Sequence, residues 1–371
     1  MNIPFLDLKR QYQPIKEEID QAIHRVVDSQ NFILGDEVRV FEEKLAQYCG
    51  VKHAIGVASG TDALLLSIKA HNISEDVITS PFTFFATAGS IYNAGANPQF
   101  ADINPETFNI DPEDLVKKIR ENDKIKAILP VHLYGQTAEM GPIHEIAEDH
   151  DLTVIEDAAQ SIGAEYHGKK IGSINTTCFS FFPAKNLGCY GDGGIITTNE
   201  EEIAEKIRTL RVHGSKPKYY HHIIGHNSRL DALQAAILTV KLKYIDKWNS
   251  MRIKNAKLYN KKLKEIEGLK VPDIDPQNKH VFNQYTLRVT NDRRDDLKKF
   301  LTEKNISTAI YYPLPLHLQP CFSFLKYKLG DFINSEKACS EVLSIPIFPE
   351  LEKEELKYIV DSILKFFDES K

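Results

Sequence analysis

The chain has no run near the roughly 18 apolar residues that a bilayer-spanning helix needs. Its uninterrupted apolar stretches are short, such as Ala63 to Leu66. The first residues carry Asp7, Lys9, Arg10, Lys16, Glu17 and Glu18, where a secretory signal would have an apolar core. There is no basic excess either. Lys and Arg total 46 against 52 Asp and Glu, a formal net charge of -6, so the electrostatic footprint of a nucleic-acid binder is missing. The five cysteines (Cys49, Cys178, Cys189, Cys321, Cys339) form an odd set without a CxxC pair, which excludes a disulfide framework and a structural zinc site. Neither GxGxxG nor a P-loop is present, so dinucleotide and ATP readings lack their phosphate signatures. No repeat or low-complexity stretch appears. These absences lead us to expect a cytoplasmic protein with free thiols and with no membrane or nucleic-acid partner.

What is there is an ordinary globular composition, 42% hydrophobic and 26% charged over 371 residues. At roughly 150 residues per domain, that length predicts two domains. Helical periodicity covers Pro14 to Gln30 and Asp36 to Tyr48, with Gly50 as a stop. Strand-like His53 to Ala58, Asp76 to Thr79, Pro98 to Ile103, Lys126 to Val131 and Leu152 to Glu156 alternate with helices. Those helices are Asp62 to Ala70, Thr83 to Asn93, one opened by Asp111-Pro112, and Pro142 to His150. Thr177 to Phe182 and Gly194 to Thr198 add two more strands. This βα alternation predicts an α/β fold with a mostly parallel sheet flanked by helices. Leu230 to Gly268 is helix-compatible but too long for one ordinary helix, so we expect a break near Asp246 to Ser250. The domain boundary is placed there, giving a large domain over 1–248 and a small α+β domain over 249–371. In the latter we expect strands at Phe282 to Val289 and Thr308 to Tyr311. Helices are expected at Arg294 to Lys304, Ser335 to Leu343 and Glu352 to Phe367.

Ligands of open α/β sheets bind at the carboxyl ends of the strands, and several polar residues fall there. Asp157 closes one strand, with Gln160 three residues on. A carboxylate there can hold a cationic ring nitrogen and an amide can bond a phenolic oxygen on the same ring; equally, Asp157 can cap the next helix. Lys185 follows an apolar strand and precedes a glycine-rich stretch ending at Gly194. Desolvated, its amine would be a nucleophile able to form a Schiff base. Ser59-Gly60-Thr61 lies between strand and helix, as a phosphate cradle or an ordinary N-cap. Phe84-Phe85 offers a ring to stack on a planar cofactor or to fill the core. His221, His222 and His226, near His213, lack the cysteines or carboxylates of a metal site, and a substrate or interface role suits them better.

Cradle, aromatic plane, Asp with Gln, Ser and then Lys are, in that order, the parts of a pyridoxal phosphate site. Ser59 to Ala63, Pro81 to Thr87, Ile155 to Gln160, Ser180 to Gly194, Asn227 to Ala236, Tyr312 to Pro320 and Leu343 to Ile347 together resemble the DegT/StrS-type nucleotide-sugar aminotransferases. The likeness covers essentially the whole chain. It implies fold type I of the pyridoxal phosphate enzymes, with Lys185 as the lysine that carries the cofactor and shuttles the proton. Asp157 would hold the ring nitrogen, Gln160 the ring hydroxyl, and Phe84 (Phe85 as the fallback) the ring face. Gly60, Thr61 and Ser180 would hold the phosphate. Asn227 would reach the phosphate of a neighbouring subunit's cofactor, which implies a homodimer. Arg229, Tyr312 and His317 are candidates for substrate or donor contacts.

The resemblance further implies L-glutamate as donor and a nucleotide-linked keto sugar as acceptor. It is strongest toward enzymes that aminate carbon 3 of UDP-linked 3-keto sugars for surface glycans such as O-antigen or lipopolysaccharide. Amination at carbon 4, of a dTDP-linked 3-keto-6-deoxy sugar, or of a cyclitol stays open. One departure stands out: Tyr311-Tyr312-Pro313 replaces the His-Tyr-Pro of many relatives. A non-catalytic regulator on this scaffold would be expected to lack Lys185 or Asp157, and both are present.

Overall fold

The computed structural model describes residues 1–368. Two N-terminal helices, α1 (Leu8–Tyr12) and α2 (Lys16–Ser29), lead to α3 (Asp36–Cys49). In α3, Val38, Phe41 and Leu45 recur at helical spacing and bury one face. Gly50 ends it at φ +73°, the left-handed conformation that glycine adopts without a Cβ penalty. Strands β1 (His53–Val57), β2 (Asp76–Thr79), β3 (Asn97–Phe100), β4 (Ile125–Ile128) and β5 (Thr153–Asp157) then follow in turn. Between them run α4 (Gly60–Ala70), α5 (Phe85–Ala94), α6 (Pro112–Glu121) and α7 (Met140–Asp149). Asp111 caps α6 through Glu113 N–H, with Pro112 in the first turn, as the sequence predicts.

A small ribbon, β6 (Glu165–Tyr166) and β7 (Lys169–Lys170), precedes β8 (Thr176–Ser180) and β9 (Gly194–Thr198). Seven of these strands form one sheet in the order β1-β9-β8-β5-β4-β2-β3. It is mostly parallel; β9 alone runs antiparallel to both neighbours. The carboxyl ends of β1, β2, β5 and β8 therefore share one edge. Because β9 turns back from that edge, the 181–193 loop lies there too.

The chain continues through α8 (Glu201–Leu210), α9 (Ala232–Leu242) and α10 (Ile245–Leu263). Helix α8 went unread in the sequence, although Ala204, Ile207 and Leu210 bury one face behind an acidic first turn. The helix break falls at Lys243–Tyr244, not at Asp246 to Ser250, which lie inside α10. No glycine or proline marks it. The turn is fixed by contacts the sequence hides: Tyr244 bonds Glu18 and stacks on Trp248, ring centroids 5.7 Å apart. Ile245 and Trp248 pack with the first lobe, whereas Ala256, Tyr259 and Leu263 join the C-terminal core. We propose that the two lobes part within this helix, near residue 249.

The second lobe consists of β10 (Leu269–Lys270), β11 (Tyr285–Val289), α11 (Arg294–Glu303), α12 (Ile333–Glu341), β12 (Val342–Ile345) and α13 (Lys353–Asp368). Its antiparallel sheet has the order β10-β11-β12. Two expectations need correction. The helix expected to run to Leu343 ends at Glu341, because Val342 turns extended and the fully buried Val-Leu-Ser-Ile run pairs with β11. Thr308 to Tyr311 is not a strand. It makes one bridge, Ala309 to Ser344, and then leaves for the pocket ahead of Pro313, which has no N–H to donate. Among the described residues no helix is long and apolar enough to cross a membrane.

Candidate active site

The shared strand edge opens into a cavity of about 550 Å³. Gly60, Thr61, Phe84, Asp157, Gln160, Ser180, Lys185 and Tyr312, all singled out in the sequence, line it. Each is placed by a specific local device.

Helix α4 starts at the end of β1, capped by Ser59, whose Oγ accepts from Asp62 N–H at 3.0 Å. Ala63 N–H is taken by the Ser59 carbonyl. Helical geometry leaves Gly60 and Thr61 N–H without an intrahelical acceptor, at the positive end of the helix dipole. Ser180, at the end of β8, packs so close that a Cβ on Gly60 would meet the Ser180 Cβ at 2.6 Å. Two amides and a hydroxyl around a gap that only glycine permits fit a phosphate. Gly60→Ala should weaken pyridoxal phosphate binding about tenfold or more, one hydrogen-bonded contact displaced. A fluorescence titration of apoprotein would measure this, and unchanged affinity would remove the cradle.

Asp157 ends β5 and is buried. Its Oδ2 accepts from Thr87 Oγ1 at 2.8 Å and its Oδ1 from Ala159 N–H at 3.1 Å. Thr87 in turn meets Thr83 Oγ1 at 3.1 Å, one helical turn away. Burial raises the carboxyl above the usual carboxylate range; the bonds from Thr87 and Ala159, then the Lys185 charge, act the other way. A pyridinium N–H would restore the ionised form. Gln160 Oε1 accepts from Tyr134 N–H at 2.6 Å, so its NH2 faces Tyr312 OH at 3.2 Å and the cavity. That leaves the amide donor free to bond a ring oxygen. Phe84 is exposed and lies 6.2 Å from the Tyr312 ring, whereas Phe85 stacks on Phe322 away from the cavity.

Lys185 sits in the 181–193 loop, its N–H held by the Phe182 carbonyl at 2.8 Å. Burial pushes its amine down to about 8, with the Asp157 charge opposing. Such a lysine has a far larger neutral, nucleophilic fraction near physiological pH than a solvated one.

The other sequence candidates lie outside the cavity lining. Asn227 is exposed and Arg229 half-buried; Ser228 between them donates to Asp62 Oδ2 at 2.8 Å, anchoring the segment beside the start of α4. His317 is buried, bonded through Nε2 to Glu336 at 3.0 Å and packed against Phe332. His221 and His222 bond the carbonyls of His213 and Lys216. Among the described residues no group of three or more metal-ligand side chains assembles.

Sequence reasoning missed Thr83, Thr87, Tyr134, Asn283 and Gln284; Tyr311, noted there as a departure from relatives, also lines the cavity. The two threonines had a readable signal, i,i+4 spacing within the expected Thr83 to Asn93 helix, although α5 itself begins at Phe85. Tyr134, Asn283 and Gln284 had none, because tertiary folding alone brings them in. Behind Asp157, His132 Nδ1 accepts from Ala138 N–H, so Nε2 donates to buried Glu156 at 2.7 Å. This fixes the strand end from beneath.

A phosphate cradle at a helix N-terminus, a buried carboxylate and a depressed lysine at the carboxyl edge of this sheet define a fold type I pyridoxal phosphate transferase. The DegT/DnrJ/EryC1/StrS aminotransferase family model matches residues 13–364. The chain belongs to that family and is a pyridoxal phosphate-dependent sugar aminotransferase.

It is 52% identical to a "Pleiotropic regulatory protein" of Geobacillus stearothermophilus, covering 99% of both chains. Identity is 43% to the UDP-2-acetamido-2-deoxy-3-oxo-D-glucuronate aminotransferase of Pseudomonas aeruginosa, over 96% of this chain and 98% of the other. A dTDP-3-amino-3,4,6-trideoxy-alpha-D-glucose transaminase of Streptomyces venezuelae is 39% identical, over 97% and 95% of the two chains. Among solved structures, S. venezuelae DesV in complex with a ketimine intermediate superposes with TM-score 0.96 at 39% identity, 99% of each chain covered. NtdA of Bacillus subtilis with bound PMP gives 0.92 at 32% identity, over 99% of this chain and 85% of the other.

Proposed function

We propose that the chain moves an amino group from L-glutamate to the carbon-3 keto group of a UDP-linked sugar, in the cytoplasm, for surface polysaccharide biosynthesis. The observation that carries the reading is Lys185, nucleophilic and facing Asp157 across a cavity with its own phosphate cradle. The likeness to the Pseudomonas enzyme supports the UDP-linked 3-keto sugar. The dTDP-linked acceptor of the Streptomyces relative is the alternative.

Bound pyridoxal phosphate supplies an electron sink for the charge left when a proton leaves the amine-bearing carbon. The chain's own residues do the rest. Gly60, Thr61 and Ser180 hold the phosphate, Asp157 keeps the ring nitrogen protonated, and Gln160 donates to the ring oxygen. Phe84 covers the ring face. Lys185, whose lowered pKa makes its neutral form accessible, takes up and returns the proton at the reacting carbons. Tyr312, beside Gln160, and the outlying Arg229 and His317 are the proposed substrate contacts. Exposed Asn227, on a segment with the exposed side chains of Tyr219, Tyr220 and Ile224, supports a homodimer in which Asn227 serves the partner's site.

A regulatory role has one observation in its favour, the name of the Geobacillus relative. The intact Lys185 and Asp157 favour catalysis. L-Glutamate should move the absorbance of the loaded protein from about 410–420 nm to about 330 nm, as electron-sink chemistry requires. A loaded protein indifferent to glutamate but responsive to another amino acid would replace the donor. Indifference to every amino donor would favour the regulator.

A further inference from the structure

Lys185 lies in a loop, outside any helix or strand, so its position depends on what ties that loop down. Beyond the Lys185 N–H bond to the Phe182 carbonyl, a buried side-chain tie acts at the next residue. Asn186 is 3% exposed and meets two further buried asparagines, Asn249 on α10 at 0% and Asn283 beside β11 at 6%. Asn249 Nδ2 donates to the Ile162 carbonyl at 3.0 Å, which leaves its Oδ1 facing Asn186. Asn186 Nδ2 donates to that oxygen at 2.7 Å and to the Val281 carbonyl at 3.0 Å. Asn186 Oδ1 then accepts from Asn283 Nδ2 at 2.9 Å. Two main-chain carbonyls, which can only accept, thus orient every amide in the row.

We propose that Asn186 is a positioning residue that sets where the Lys185 amine sits, the Asn249–Asn186–Asn283 row acting as its tether. The inference rests on Lys185 being the cofactor-binding lysine. A buried residue with three oriented hydrogen bonds has one rotamer open to it, and the chain on either side inherits that restriction. The row connects α10 to the cavity wall, which Asn283 lines, through the residue that follows Lys185. Other ties hold the loop farther on: Lys241 bonds the Gly188 carbonyl, and Gln234 pairs with the Tyr190 main chain at 2.8 and 3.1 Å. Only Asn186 acts at the residue bonded to Lys185.

The test measures how fast apoprotein mixed with pyridoxal phosphate forms the lysine-linked absorbance band. It adds the primary isotope effect with 2-deuterated glutamate, which reports proton transfer by the lysine. Asn186→Ala should slow band formation about tenfold or more, since misplacing a reacting group by an ångström costs up to roughly 10²-fold. The isotope effect should rise as proton transfer becomes slower. Asn249→Ala, which removes the far acceptor and its bond to the Ile162 carbonyl but leaves Asn186 its other two bonds, should give the same signature to a smaller extent, and it carries the test if the first variant does not fold. Ile359→Val, in the C-terminal core, is the control for instability alone and should lower Tm without moving either readout. Folded variants with the unmodified protein's band rate and isotope effect would overturn the tether. Absence of the band in the unmodified protein would overturn the reading of Lys185 itself.

Discussion

Lys185→Ala should lower transamination about 10⁴-fold or more, because it removes the side chain proposed both to anchor the cofactor and to move the proton. The variant should stay folded and keep the cofactor through the cradle and Asp157, so its absorbance should be that of free pyridoxal phosphate bound to protein. The unmodified residue has a pH signature as well. A solvated lysine becomes reactive as pH rises toward 10.5, whereas Lys185, pushed down to about 8 by burial, should react with pyridoxal phosphate at a rate that levels off just above pH 8. Turnover near that of the unmodified protein in Lys185→Ala would end the mechanism. A rate still climbing at pH 10 would place the amine in solvent.

Asp157→Asn should separate activity from stability. Transamination should fall about 10³-fold, the scale of losing one preorganised charge at a reacting system. The apoprotein should melt no lower than the unmodified protein and is expected to melt higher. The sign follows from burial. Asp157 is held above its ordinary value in the folded chain, so its ionisation at neutral pH opposes folding, and that opposition fades as pH falls through the folded value. An asparagine keeps the Ala159 N–H bond and donates to Thr87, which can rotate toward Thr83. Calorimetry of the apoprotein and the glutamate half-reaction measure the two effects. A large drop in Tm would mean that the carboxylate supports the fold.

Most of the first lobe could be read along the chain because its signals are local. Asp76 to Thr79 carries three consecutive β-branched residues, Asp111-Pro112 is an N-cap with proline in the first turn, and Gly50 has the residue type its φ requires. Where neighbours distant in sequence decide, the reading slipped. Val342 and Leu343, read as the end of the preceding helix, open a strand because β11 is there to pair with them. Thr308 to Tyr311 has strand composition but is drawn toward the cavity by Tyr311 and Tyr312.

The site divides the same way. Lys185, Asp157 and the 59–61 cradle stand at strand ends that the sequence already located. Which ring faces the cavity, Phe84 or Phe85, depends on Phe322 arriving from 237 positions away. The orientation of the Gln160 amide depends on one N–H, that of Tyr134.

The N-terminal segment is tied to the far end of the chain. Ile3 exchanges backbone bonds with Asn305 and Ser307, and Arg10 grips Glu355 with both guanidinium nitrogens at 2.7 and 2.8 Å. The separation is 345 residues. At a synthesis rate of about 5–20 residues per second, Arg10 waits roughly 20 to 70 seconds for its partner to be made. The contact that holds the first helix therefore cannot form until Glu355 has been made. The seven-stranded sheet, complete by Thr198, can form during that interval, and the clasp from Arg10 to Glu355 closes after it.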